Sequence, residues 1–178
     1  MKMRPAAYVM LGMIGLGARS GYAIKKLADL STRFFWPTSL AQVYPELGRL
    51  EEAGLLTRKS KLEGKRERFD YELTEVGEEK LVEWLRSPKE AETQFRDEGV
   101  LRLFLADRLP PDDQLALVRR LRKRVHEAGA HTREEIVPLA EALERGGTRF
   151  PAQVARLRAD TYAYTEQWLE RLESELEP

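Results

Sequence analysis

SLAQVYPELGRLEEAGLL, residues 39–56, reads as a helix that runs into a strand. Ser39 and Gln42 make an S-x-x-Q arrangement, in which the two side chains satisfy backbone N–H groups left free at a helix start. Leu40, Val43, Leu47 and Leu50 recur at spacings of three and four and define an inner face. The outer face carries Ala41, Gln42, Pro45, Glu46, Gly48 and Arg49. Small residues there allow close approach of the backbone, and Gly48 does so at some loss of helix propensity. Pro45 deletes one backbone hydrogen bond inside the helix, a local rule violation of the kind that clusters at functional sites. Gly54 supplies the stop.

Working outward, Leu55 to Lys61 and Glu67 to Leu73 read as two strands joined by a loop through Glu63, Gly64, Lys65 and Arg66. In the second strand Phe69, Tyr71 and Leu73 face one way and Arg68, Asp70 and Glu72 the other. The pair is a hairpin with a basic tip. Thr74 then caps a further helix with an apolar stripe of Val76, Leu81, Trp84 and Leu85. On the upstream side, Phe34, Phe35 and Trp36 are expected to pack into the core, and Pro37 turns its neighbour away from helix. Tyr22 to Thr32 is a short helix with Ala23, Ile24, Leu27, Ala28 and Leu30 inside, Tyr22, Lys25, Lys26 and Asp29 outside, and Ser20 at its start. The apolar run Ala6 to Leu16 after Lys2 and Arg4 is too short to span a bilayer, which takes about 20 residues. No small-x-small cleavage site follows it, so it is expected to be a buried first helix rather than a secretory signal.

The chain has 178 residues and no cysteine, which removes disulfides, thiol nucleophiles and thiolate zinc sites and fits a reducing, cytoplasmic setting. Formal charge is zero, yet residues 1–90 hold 16 Lys+Arg against 13 Asp+Glu and residues 91–178 hold 14 against 17. The sign favours an anionic partner for the first half.

Three helices, a two-stranded hairpin and a closing helix make the order of a winged helix-turn-helix, whose third helix lies in the DNA major groove. The segments YVMLGMIGL, SGYAIKKL, FFWPTSLAQVYPELGRLEEAGLL and GKRERFDYELTEVGEEKL resemble the PadR family of bacterial transcriptional regulators, in the right order over residues 5–86. FRDEGVLRLFLADRLPP through RADTYAYTEQWLERLESEL resembles the helical C-terminal part of the longer members. The resemblance implies a mainly α protein with a winged helix-turn-helix DNA-binding domain at 1–88 and an all-helical dimerisation domain at 89–178. It implies a homodimeric, cytoplasmic regulator of transcription, a repressor by analogy, with double-stranded DNA as its partner and no membrane, metal or cofactor.

In that frame Lys65, Arg66 and Arg68 on the wing, with Lys25 and Lys26 on the second helix, neutralise phosphates and position the protein without reading sequence. Gln42 is placed to pair with adenine, Ser39 or Thr38 to donate to phosphate or base, and Arg49 to reach guanine or backbone. Tyr22 is a further candidate contact, and Tyr44 is either a DNA contact or a core aromatic with its hydroxyl satisfied. Glu46 repels phosphate and helps only by accepting from cytosine or by pairing with Arg49. Ala41 and Gln42 stand where many members have a small residue followed by threonine or serine, and Gly48 replaces a stronger helix former. The sequence read by this helix therefore departs from the family pattern.

Val154, Leu157, Thr161, Tyr164, Trp168 and Leu172 recur at three and four along a long terminal helix. The stripe packs either against a second copy or within its own subunit. Val100, Leu101 and Phe104 form a second candidate dimer element. Trp84, Phe95, Phe104 and Trp168 are candidates to line a pocket for a planar aromatic effector, the ligand class the resemblance implies, with ordinary core packing as the competing reading. RRLRKR, Arg119–Arg124, is interrupted by a buried stripe of Leu115, Val118, Leu121 and Val125 and reads as a solvated helix face.

Chemistry is scarce elsewhere. His126 and His131 are five apart, on different faces of a helix, and His131 with Glu134 or Glu135 lacks a third metal ligand. There is no GxSxG elbow, no GxxxxGK[ST] loop and no GxGxxG after a strand. The expectation is a protein that is not an enzyme. The alternative to DNA binding is a winged-helix protein-interaction module, which acidic residues dominating the third helix and wing would favour; here they do not dominate.

Overall fold

The computed structural model describes residues 3–63, 66–88 and 96–177, with 61–63 and 66–68 described by backbone alone. The chain divides into two units, Met1–Ala91 and Glu92–Pro178.

The first unit starts with α1 (Pro5–Gly15), whose leading proline lacks an N–H that a helix start leaves unpaired anyway. Ala7, Met10, Leu11, Met13 and Ile14 on α1 are buried. The run at the N-terminus is thus the core helix of this unit. α2 (Gly21–Ser31) follows, with Ser20 Oγ accepting from Ala23 N–H at 3.2 Å. α3 (Leu40–Glu52) has Ser39 at its start, and Gly54 beyond its end takes φ +70°, the left-handed turn that glycine adopts without strain. β1 (Leu56–Glu63) and β2 (Arg66–Leu73) pair antiparallel from Leu56 with Leu73 to Glu63 with Arg66. Each strand is longer at the tip than the residue pattern indicates, because Glu63 and Arg66 still pair where a polar loop was expected. Tyr71 N–H donates to Arg19 O at 2.7 Å, tying the segment before α2 to the sheet edge. α4 (Glu75–Leu85) is capped by Thr74, whose Oγ1 accepts from Gly77 N–H at 3.0 Å. This is a winged helix-turn-helix: α1, α2, α3, hairpin, α4.

Met10, Leu11, Ile14, Ile24, Val43, Leu47 and Leu50 form the fully buried centre, and Phe69, Tyr71 and Leu73 close it from the hairpin, as the alternation of β2 requires. Three expectations about this core are corrected. Phe34, Phe35 and Trp36 are 37%, 53% and 38% exposed: they fall in the turn after α2, where the Phe34 and Phe35 rings meet edge to face at 4.7 Å. Leu40 is exposed and Glu46 buried: the buried stripe is Val43, Glu46, Leu47 and Leu50, and Leu40, in the first turn, overhangs the core edge. On α4 Val76, Trp84 and Leu85 are exposed and Leu81 alone of the expected stripe joins the core; Trp84 instead stacks on Tyr8, with centroids 4.4 Å apart and planes 8° from parallel.

The second unit is helical: α5 (Glu98–Phe104), a 3-10 turn at Ala106–Arg108, α6 (Pro111–His131), a π turn at Thr132–Ile136, α7 (Val137–Arg145) and α8 (Phe150–Leu176). The π turn accommodates Pro138, which has no N–H for the regular ladder and whose ring would strike the carbonyl four residues back. At about 1.5 Å per residue α8 is roughly 40 Å long. It runs antiparallel to α6 along a core of Val118, Val125 and Leu169, flanked by Leu103, Leu121, Tyr162, Leu172 and Leu176. Leu172 thus packs within its own chain, unlike Leu157, Tyr164 and Trp168.

The basic run of α6 lies on a largely exposed helix face, as the residue pattern indicates, with several of its arginines paired to carboxylates. Arg119 meets Glu173 at 2.7 Å and Glu177 at 2.6 Å, Arg122 meets Glu173 at 3.1 Å, and Arg124 meets Asp97 at 3.1 Å. His126 Nδ1 lies 2.7 Å from Glu166 Oε1, and His131 Nδ1 lies 3.2 Å from Glu135 Oε1. Exposed pairs of this kind add little stability each; those of Arg119, Arg122 and His126 join α6 to α8. Among the described residues no helix is long and apolar enough to cross a membrane.

Candidate nucleic-acid interface

α3 turns most of its outer face to solvent. Ala41, Gln42, Tyr44, Pro45 and Arg49 are exposed, and a methyl group added at Gly48 would meet nothing within 4 Å. Ala41, Pro45 and Gly48, at spacings of four and three, make a smooth strip along the helix, with Gln42 and Arg49 two turns apart beside it. Such low relief lets a helix sit deep in a groove.

The polar side chains flanking that strip are already engaged. Ser39 N–H and Oγ–H donate to Gln42 Oε1 at 2.9 and 3.1 Å, completing the capping box. Arg49 Nη1 donates to Glu46 Oε2 at 2.5 Å, so of the two roles open to Glu46 the structure displays the pairing with Arg49. Ser39 is exposed, whereas Thr38 is turned inward: it is 8% exposed and its hydroxyl donates to Trp36 O at 3.4 Å, across the turn that Pro37 makes. Burial leaves no donor of Thr38 facing solvent.

Tyr22 and Tyr44 are 67% and 54% exposed, so Tyr44 is not a core aromatic. Its ring lies on the first turn of α2: a Cβ at Gly21 would sit 2.6 Å from Tyr44 Cε1. Glycine at 21 is what lets the second and third helices touch here, a role the sequence hides because Gly21 looks like an ordinary helix-start residue. On α2, Lys25 pairs with Asp29 while Lys26 is exposed.

On the wing, Arg58 lies 4.5 Å over the Phe69 ring and 3.2 Å from Glu51, and Lys59 meets Glu72 at 2.7 Å, which lowers the Glu72 carboxyl below its usual range through that hydrogen bond. Burial raises the Tyr71 hydroxyl above its usual value. Lys65 lies outside the described residues, and of Arg66 and Arg68 only the backbone is described, both within β2. α2, α3 and the hairpin belong to one packed unit, so the candidate contacts on them share a single frame.

The candidate effector residues are distributed over both units. Trp84 lies in the first unit against Tyr8, Phe104 and Trp168 lie in the second, and Phe95 is outside the described residues. Of the candidate dimer residues, Val100, Leu101, Phe104, Leu157, Tyr164 and Trp168 are exposed, Phe104 most of all at 81%. Among the described residues no group of His, Cys, Asp and Glu is arranged to hold a metal ion.

Residues 10–83 match the transcriptional regulator PadR-like family. The negative transcriptional regulator PadR of Bacillus subtilis (strain 168) is 32% identical over 103 residues, which is 57% of this chain and 57% of that protein. The chain thus matches little more than half the length of that curated relative. Two solved structures share the fold: Bacillus subtilis PadR in complex with operator DNA, with a TM-score of 0.86 at 22% identity over 99% of this chain and 100% of that one; and Bacillus subtilis PadR in complex with p-coumaric acid, with a TM-score of 0.76 at 21% identity over 97% and 99%.

Proposed function

We propose, from the match of residues 10–83 to the transcriptional regulator PadR-like family, that the chain is a member of that family and a cytoplasmic, sequence-specific DNA-binding protein, a homodimeric repressor and not an enzyme. The observation that carries this is the exposed, low-relief outer face of α3, flanked by Gln42, Tyr44 and Arg49, within a winged helix-turn-helix. α3 lies in the major groove, Tyr22 and Lys26 on α2 and Lys65, Arg66 and Arg68 on the wing hold the flanking backbone, and two copies address half-sites about one helical turn apart.

Fluorescence anisotropy of a labelled duplex from upstream of its own gene, titrated across a salt series against scrambled competitor, tests this. Tight, competitor-resistant binding is expected. Lys65→Ala with Arg66→Ala should flatten the slope of log K against log salt by about 1.8, two phosphates' worth. Absence of binding to that duplex and to a random pool at low salt would favour the protein-interaction reading.

Gly48→Ala separates folding from binding. The methyl group has room and improves helix propensity, so the free protein should gain about 1 kcal/mol. The same methyl stands on the strip that faces the groove, and operator affinity should fall on the order of 10-fold, about 1.4 kcal/mol. A variant that gains stability and binds as well as the parent would place this strip away from the DNA.

Effector control follows the parallel with the p-coumaric acid complex of Bacillus subtilis PadR. We assign the effector to planar aromatic compounds. A ligand that prefers one separation of the two α3 helices shifts the dimer between operator-competent and incompetent forms. Tryptophan fluorescence unmoved by a library of such compounds would remove this assignment.

A further inference from the structure

We propose that Glu46 is a specificity-determining positioning residue: its buried carboxylate holds the Arg49 guanidinium in a neutral, preformed pair that recognises a guanine edge in preference to phosphate. The proposal rests on the DNA-binding reading and adds which side chain reads a base and what keeps it off the backbone.

Glu46 lies on the same stripe as Val43, Leu47 and Leu50 and its side chain is 10% exposed, while that of Arg49 is 55% exposed, with 2.5 Å between Nη1 and Oε2. A carboxylate drawn out of water needs a partner, so the pair stands before any DNA arrives. Two consequences follow from charge and geometry. The guanidinium's pull on phosphate is offset by the adjacent negative charge, since that pull depends on net charge. The other N–H groups of the fork remain to donate, and bidentate donation to guanine O6 and N7 depends on directional geometry.

The rest of α3 points the same way. Arg49 is the only basic residue of the helix. Gln42 needs both its oxygen and its nitrogen to pair with adenine, and its oxygen already accepts from Ser39 N–H and Oγ–H. Ala41, Pro45 and Gly48 carry no polar side-chain group. Reading helices of related architecture use positions spread over about two turns, as Gln42 and Arg49 are.

The test selects duplexes with a random core of about 20 base pairs, enough for two half-sites, with the full-length parent, Glu46→Gln and Arg49→Lys. The parent's duplex and its single-base-pair variants are then titrated by anisotropy across a salt series. Expected is a G·C pair in each half-site that Arg49→Lys no longer demands. Glu46→Gln should lose discrimination at that same pair, on the order of 10-fold, and steepen the salt slope by about 0.9 as the freed guanidinium turns to a phosphate. A merely structural Glu46 would weaken binding at every position alike and leave the slope unchanged. Circular dichroism confirms folding; if Glu46→Gln fails to fold, Arg49→Lys at the exposed end of the pair must still erase the G·C preference and spare the other positions. Unchanged preference and slope in both variants overturn the role of Glu46 while leaving DNA binding intact. A parent that binds no duplex overturns both.

Discussion

Gly77→Ala is expected to unfold the N-terminal unit at temperatures where the C-terminal unit remains folded. A Cβ at 77 would stand 2.1 Å from Leu55 O and 3.0 Å from Leu55 C, and neither side can yield cheaply. Leu55 O accepts from Thr74 N–H at 3.1 Å, while Leu55 N–H donates to Leu50 O at 2.9 Å, fixing the turn out of α3. On the helix side Thr74 Oγ1 accepts from Gly77 N–H and donates to Gly54 O at 2.8 Å. Moving α4 outward breaks this cap, worth about 1 kcal/mol, and staying put incurs overpacking of about 1–3 kcal/mol. For a unit of this size 1 kcal/mol shifts the melting temperature by about 4–8 °C, so a fall of about 15 °C is expected. Hydrogen exchange resolved by peptide, followed through a thermal series, should show early loss of protection confined to residues of the first unit. Protection equal to the parent's would mean that α4 slides without penalty. The same exchange at Gly48 has the opposite sign because only there is space open.

The second large effect is on assembly. Leu157→Glu combined with Tyr164→Glu should convert a particle of twice the chain's 20.5 kDa into one of that mass. Both side chains are more than 60% exposed in the single chain, at 63% and 67%, so the fold loses little when they become carboxylates. Across the proposed dimer seam, shared with Trp168 and with Val100, Leu101 and Phe104, the same carboxylates would be buried without partners, which is costly. Operator affinity should fall with it by about 10² to 10⁴, since the two half-sites would no longer be engaged as one linked event. Sedimentation at several concentrations decides the matter. An unaltered dimer mass, or a monomeric parent, would assign this stripe to another use.

The order of elements was legible because periodicity encodes burial directly: α1, α2, α3, the hairpin and α4 follow from apolar spacing, Ser and Thr caps and the glycine at 54, although the stripes of α3 and α4 were only partly right. Errors fell where tertiary geometry decides. Phe34, Phe35 and Trp36 are as apolar as any core triplet, yet they fall in the turn after α2 and stay partly exposed. Glu46 shares the spacing of a leucine on the buried stripe, and only a partner three residues on makes that position tolerable for a carboxylate. Gln42 and Arg49 were legible as candidate contacts from residue type and face, but what already binds each of them is a matter of ångströms. Tyr44 against Gly21 could not be read at all, because close approach between helices leaves no periodic trace. The arginines of α6 show both sides: their helix was evident, while their pairing with Glu173 and Glu177 across more than fifty residues was not.

The pairing of Glu46 with Arg49 also constrains how this protein can change by mutation. A substitution at Arg49 alone strands a buried carboxylate, and one at Glu46 alone frees a cation beside the DNA. Neither intermediate equals its parent in stability and selectivity together. Position 41, whose side chain has no polar group, can drift one substitution at a time, whereas 46 and 49 must move as a couple through a less fit form. If α3 reads the operator as proposed, descendants of such a chain would acquire new operators stepwise at one end of the helix and in jumps at the other.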